Sequence, residues 1–213
     1  MTDKQAVIEQ IKTAFGNNVH PGAPFLQGSF EGCEPYEETS PFADKDWNGL
    51  EPGFLDGHYS ALSFFSEAGF RYFLPAYMIA DLNDQLETAD PVFHLTHGFY
   101  EFSFDYRTDT DSVTVTRGKS SFINPRRYGA ATSYDYARYK LSIFTREEAE
   151  AIVAYLRVKQ EAADLDETRE QIQAALDLYW LERARGAPPA AALEAHLRQE
   201  EKIQAVIRQK SSG

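Results

Sequence analysis

The chain is short of cysteine, of long apolar runs and, in its first half, of positive charge, and each shortage excludes something. With one cysteine, Cys33, no internal disulfide can form and no multi-thiolate zinc site can be built. Redox chemistry drops out with it, and a reducing, cytoplasmic location is expected. The longest apolar run, residues 72–80, is about half the roughly 18 residues that would span a bilayer. The start, "MTDKQAVIEQ", lacks the basic and then apolar pattern of a signal peptide. A soluble protein with no membrane partner is the expectation.

Positive charge is scarce where it would matter most for nucleic acid. The net charge is -12, and residues 1–100 hold fifteen acids against Lys4, Lys12, Lys45 and Arg71. The remainder is nearly balanced, with eighteen acids and seventeen bases. Within the first half, Glu31, Glu34, Glu37, Glu38, Asp44, Asp46, Glu51 and Asp56 face Lys45 alone. Such a field repels phosphate backbones and attracts basic partners. Nucleic acid is therefore not expected as a partner, although Arg117, Lys119, Arg126, Arg127, Arg138 and Lys140 lie close together in sequence. Those bases have a second use, pairing with the acidic segment of the same chain.

What is present is core-forming material: 43% of residues are hydrophobic and 14% aromatic, enough for one domain of this length. Thr2 and Gln5 stand in capping-box spacing before Val7, Ile11, Ala14 and Phe15, which share one helix face. Residues 17–57 lose all periodicity and hold Pro21, Pro24, Pro35, Pro41 and Pro52. The aromatic residues there, Phe25, Phe30, Tyr36, Phe42, Trp47 and Phe54, are expected to pin this long irregular segment to the body.

Helical spacing returns over residues 58–86, with Ser66 placed to cap a fresh start. Pro75, read as standing one turn or so into that new start, implies two helices or one kinked helix. Phe70, Phe73, Leu74, Tyr77, Met78 and Leu82 recur at helical intervals and are assigned to the core. In "YEFSFDY" the period changes: Tyr100, Phe102, Phe104 and Tyr106 alternate with polar residues, the pattern of a strand with one buried face. "SVTVT" follows a turn-forming "TDTD", which predicts a hairpin over about 99–117. "SYDYARYKLSIF" is read as a third strand. Thr145 and Glu148 form a further capping box, before an apolar stripe of Ala149, Ile152, Val153 and Leu156. Ile172, Leu176, Tyr179 and Trp180 belong to the next helix. After "GAPPA" comes a charged helix with a thin seam of Leu193, Leu197, Ile203 and Ile207.

These signals predict a mainly helical α+β fold, with amphipathic helices packed around a small antiparallel sheet. Residues 1–185 are read as one globular domain, and residues 186–213 as a charged helical extension through which the chain can self-associate.

Trp47, the string "LSFFSEAGFRYFLPAYM" ending at Met78 and "FTREEAEAIVAYL" ending at Leu156 together resemble a family of bacterial proteins catalogued as a domain of unknown function. That family pairs an FRYYLPAYM-like core with a later capped helix, and the resemblance spans roughly residues 5 to 180. It implies no activity, so no site residue carries over.

No catalytic constellation emerges from the residues themselves. "VTVTRGKSS" imitates a phosphate loop, but the position that demands the first glycine holds Val113, and Pro125 interrupts the helix that should follow. There is no nucleophile elbow, and the carboxylates flanking Cys33 disfavour a thiolate nucleophile. His94 and His97 in "HLTH" have the spacing to share a metal, with Asp90 or His58 as a further ligand, and support an alternative reading as a metal-dependent hydrolase. Histidines satisfying local hydrogen bonds are the plainer reading. No cofactor is implied. The favoured reading is a non-catalytic interaction protein, inhibitor- or immunity-like, that offers Glu34, Glu37, Glu38, Asp44, Asp46 and Trp47 to a basic protein.

Overall fold

The computed structural model describes residues 3–107, 111–123 and 129–195. Helix α1 (Lys4–Phe15) starts at Asp3, whose carboxylate accepts the Gln5 N–H at 3.0 Å. The expected cap Thr2 lies outside the described residues. Val7, Ile8, Ile11 and Phe15 form the buried face of α1.

The proline-rich segment folds as a chain of short turns: 3₁₀ turns Ala23–Phe25, Ser40–Phe42 and Trp47–Gly49, and helices α2 (Glu34–Thr39) and α3 (Pro52–Gly57). It is pinned at fewer points than its aromatics suggest. Phe42 and Trp47 are buried and Phe54 is partly so, whereas Phe25, Phe30 and Tyr36 are 62%, 79% and 64% exposed. The other anchors are aliphatic, Leu26 and Leu55. Close backbone contact does the rest. Gly28 donates to the Phe64 carbonyl at 2.8 Å, and a Cβ at position 28 would meet the Phe65 carbonyl oxygen at 2.6 Å.

Helix α4 (Ala61–Phe64) ends at Phe65, and α5 (Glu67–Leu82) begins at Ser66. The Ser66 hydroxyl accepts the Gly69 N–H and donates to the Phe25 carbonyl, so one side chain starts the helix and ties down the irregular segment. The chain breaks at Phe65, and α5 then runs through Pro75, which stands in its interior. Packing holds the helix where proline removes an N–H. Phe70, Tyr72, Phe73, Leu74, Pro75, Ala76, Tyr77 and Met78 are all buried, so α5 is enclosed on nearly every side. Phe73 meets Phe42 and Phe65 at ring-centroid distances of 4.9 and 5.1 Å.

Helix α6 (Pro91–Thr96) leads into the hairpin of β1 (Glu101–Arg107) and β2 (Ser112–Gly118), paired antiparallel with Phe104 opposite Val115. The hairpin is where expected, but its buried face is absent. Every residue of β1 is exposed, with Phe102 at 42%, Phe104 at 45% and Tyr106 at 60%. Among the described residues no second layer lies over these rings, and alternation alone does not supply one.

The expected third strand is helix α7 (Ser133–Lys140) with a 3₁₀ turn, Leu141–Ile143. Thr132 caps α7 by accepting the Asp135 N–H, and this local bond outweighs the alternation of Tyr134 and Tyr136. Helix α8 (Arg146–Ala162) opens with the expected box, both bonds between Thr145 and Glu148 being made. Helix α9 (Asp166–Ala175), a π turn (Leu176–Trp180) and α10 (Leu181–Gly186) form one continuous run. Its Trp180 is fully buried and donates to the Leu95 carbonyl at 2.8 Å. Ala187 is buried and the Pro188 carbonyl accepts the Arg146 N–H, so the chain past residue 185 stays attached to α8. A helical stretch from residue 190 reaches the last described residue, 195; Leu197, Ile203 and Ile207 lie outside the described residues.

Candidate functional site

Proline and short helices decide which carboxylates of the acidic segment face water. In α2, Pro35 and Thr39 point inward, which turns Glu34 and Glu37 outward. Asp44 and Glu51 are exposed as well. Among the described residues, none of these four takes part in an ion pair.

The remaining acids have local work. Glu38 is half-buried, its carboxylate 3.9 Å from His58 Nδ1. Asp46 accepts the Asn48 N–H at 3.0 Å and starts the turn at Trp47. It also sits beside Tyr72, whose phenol is shifted up by burial and then by the Asp46 charge. Asp56 accepts backbone N–H groups from Glu87, Thr88 and Ala89, which hold its carboxyl below the usual range against the opposing effect of desolvation. Trp47, named above as a partner contact, is a core residue at 5% exposure; its indole anchors the segment from inside. Glu34, Glu37, Asp44 and Glu51 are exposed, as are the rings of Phe25, Phe30 and Tyr36; Asp46 is exposed too, with its carboxylate holding the Asn48 N–H.

The basic residues sit elsewhere. Arg138 lies over the Tyr134 ring and donates to the Tyr134 hydroxyl, it forms no ion pair among the described residues, and the Lys140 ammonium is 4.6 Å from the centre of the Phe70 ring. Arg126 and Arg127 lie outside the described residues. The phosphate-loop imitation is a strand end: the Gly118 N–H goes to Ser121 Oγ, and Ser120 donates both its N–H and O–H to the Glu101 carboxylate.

His94 and His97 share the Phe93 ring as a neighbour, at centroid distances of 5.3 and 4.9 Å. Burial, then the charge of Lys140, then His97 pull His94 down to about 3. His97 keeps solvent contact at the end of α6, and it too is lowered, by desolvation and then Lys140. Lys140 in turn is lowered by burial, with Glu67 opposing. The further ligands do not converge: Asp90 caps α6 through the Phe93 N–H, and His58 lies beside Glu38. Among the described residues, no three His, Cys, Asp or Glu side chains are grouped to hold a metal ion.

The sequence reading missed the ion pair between Arg71 and Glu148. Arg71 Nε donates to both Glu148 oxygens, at 3.0 and 2.9 Å, and Arg71 Nη2 donates to Asn18. Glu148 is fully buried and also accepts the Thr145 N–H at 2.8 Å, so one carboxylate caps α8 and binds it to α5. The signal was the lone charge in "GFRYFLPAYM" together with an acid at the third position of a capped helix. The pair forms the floor of a cleft of about 620 Å³ between α1 and α8.

The pair thus joins the two sequence strings that carried the resemblance, and a family model covers both, matching residues 3–184. The chain belongs to DUF6714, a family of unknown function. The match takes in α1 through α9, including the acidic segment and the hairpin, and ends within α10, before the helical stretch at 190–195. No curated protein and no solved structure matches the chain.

Proposed function

We propose that this member of DUF6714 is a non-catalytic, cytoplasmic interaction protein that presents the outer side of residues 31–56 to a basic protein partner. The observation that carries the reading is the state of Glu34, Glu37, Asp44 and Glu51: exposed, and without an ion-pair partner among the described residues. Like charges held together without counter-charge raise the local potential and steer cationic partners toward it. The neighbouring rings of Phe25, Phe30 and Tyr36 add apolar area that a partner can cover. An inhibitor or immunity protein, which masks the basic surface of its target, is one form this activity takes.

The test is capture from native lysate by the full chain and by the triple variant Glu34→Lys, Glu37→Lys, Asp44→Lys, in which every changed side chain is exposed. The intact chain is expected to retain a stoichiometric basic protein that salt releases, because a Debye length of about 10 Å at 0.1 M screens such contacts. The variant, with its circular dichroism unchanged, is expected to lose it. Equal capture by both chains refutes the reading.

A further inference from the structure

The hairpin carries a second surface, and its geometry is unusually restrictive. Lys119 donates to the Tyr100 carbonyl at 3.0 Å, which sets the phase of the ladder: Phe102, Phe104 and Tyr106 exchange backbone bonds with Arg117, Val115 and Val113. Gly118, opposite Glu101, accordingly sends its N–H to Ser121 instead of across the ladder. The N–H and C=O groups of Glu101, Ser103, Asp105 and Arg107 therefore point away from β2. Among the described residues nothing takes them. An open edge of this kind is a template for another strand, and a two-stranded ribbon is marginal in water until more strands join it.

We propose that the occupant of this edge is β1 of a second copy of the chain, paired antiparallel about a two-fold axis at Phe104. In that register Glu101 faces Arg107 of the second copy at both ends, Ser103 faces Asp105, Phe102 faces Tyr106 and Phe104 faces itself. The four outward-pointing residues of each strand all fall in hydrogen-bonded pairs, and the aromatic rings fall in the closer, non-bonded pairs where side chains touch.

Neighbouring registers fail on charge. Centring on Ser103 sets Glu101 against Asp105, and centring on Asp105 sets that carboxylate against itself; like charges directly opposite are destabilising. The other edge fails as well, since β2 paired with itself about Val115 sets Arg117 against Val113. The hairpin strands hold Glu101 and Asp105 against Arg107 and Arg117, so the contact escapes the self-repulsion expected of a chain with net charge -12. The product is a four-stranded sheet, closed by two-fold symmetry, whose aromatic and β-branched face carries Arg117 at two opposite corners.

Sedimentation velocity of the full chain over a range of concentrations tests the pairing. A dimer is expected. Arg107→Glu should weaken it about tenfold or more, because two facing pairs change from attraction to repulsion. The double exchange Glu101→Arg with Arg107→Glu should restore it. A monomer at every concentration up to about 100 µM overturns the proposal. So does a dimer unmoved by Arg107→Glu, or one that the double exchange fails to restore.

Discussion

Residues 70–78 and 100–106 each hold four aromatic side chains, and the fold treats them in opposite ways. In α5, Phe70, Tyr72, Phe73 and Tyr77 are all buried, and the Tyr77 hydroxyl donates to the His58 carbonyl at 2.9 Å. In β1, Phe102, Phe104 and Tyr106 all face solvent. Periodicity names the face that is apolar. What covers that face depends on the elements that arrive over it: α1, α6, α8 and the turn at Trp47 pack against α5, and among the described residues no comparable layer reaches the hairpin.

The contrast predicts unequal costs for similar truncations. Phe73→Ala should cost about 3–5 kcal/mol in urea denaturation, since a fully buried ring among Phe42, Phe65 and Tyr72 leaves a cavity. A cost below about 1 kcal/mol would mean that the cluster around α5 is loosely packed. An intermediate effect is expected at His94, on the covered side of the comparison. With a folded value near 3 and an unfolded one near 6.5, the unfolded chain binds a proton that the folded chain refuses. Stability should thus fall as pH drops through 6.5, by about 2 kcal/mol at pH 5, and continue falling toward pH 3. His94→Gln should flatten that part of the profile; a slope identical to wild type would place the imidazole in water. The smallest effect belongs to Phe104→Ala, within about 0.5 kcal/mol for the fold of the isolated chain, by the same urea measurement. A loss as large as that of Phe73→Ala would show a covering layer over the hairpin and erase the distinction.

Features whose energy is itself local are legible in the sequence where a single local signal stands unopposed. The box of Thr145 and Glu148, the Ser66 cap and the apolar stripes of α1 and α8 all depend on residues within one or two turns. Two local signals compete at residues 132–140, where Tyr134 and Tyr136 alternate as in a strand and the Thr132 cap starts a helix instead. Elsewhere the outcome rests on distant groups. Trp47, in an acidic and proline-rich context, looks like a surface contact and is core. Of the candidate site, the charge of residues 31–56 was visible in the sequence. Its division into exposed Glu34, Glu37 and Asp44 and internally engaged Asp46 and Asp56 was not, because the partners of Asp56 lie more than thirty residues away.

By itself, then, the sequence determined the mainly helical class, the place of the hairpin and the uneven spread of charge, since composition and short-range spacing carry all three. The tertiary structure alone decided that Arg71 and Glu148, 77 positions apart, form a buried pair and that the hairpin's rings stay in water. The physical reason is common to both. Burial and the pairing of buried charge depend on which surfaces meet, and that is a property of the packed chain and not of any short stretch of it.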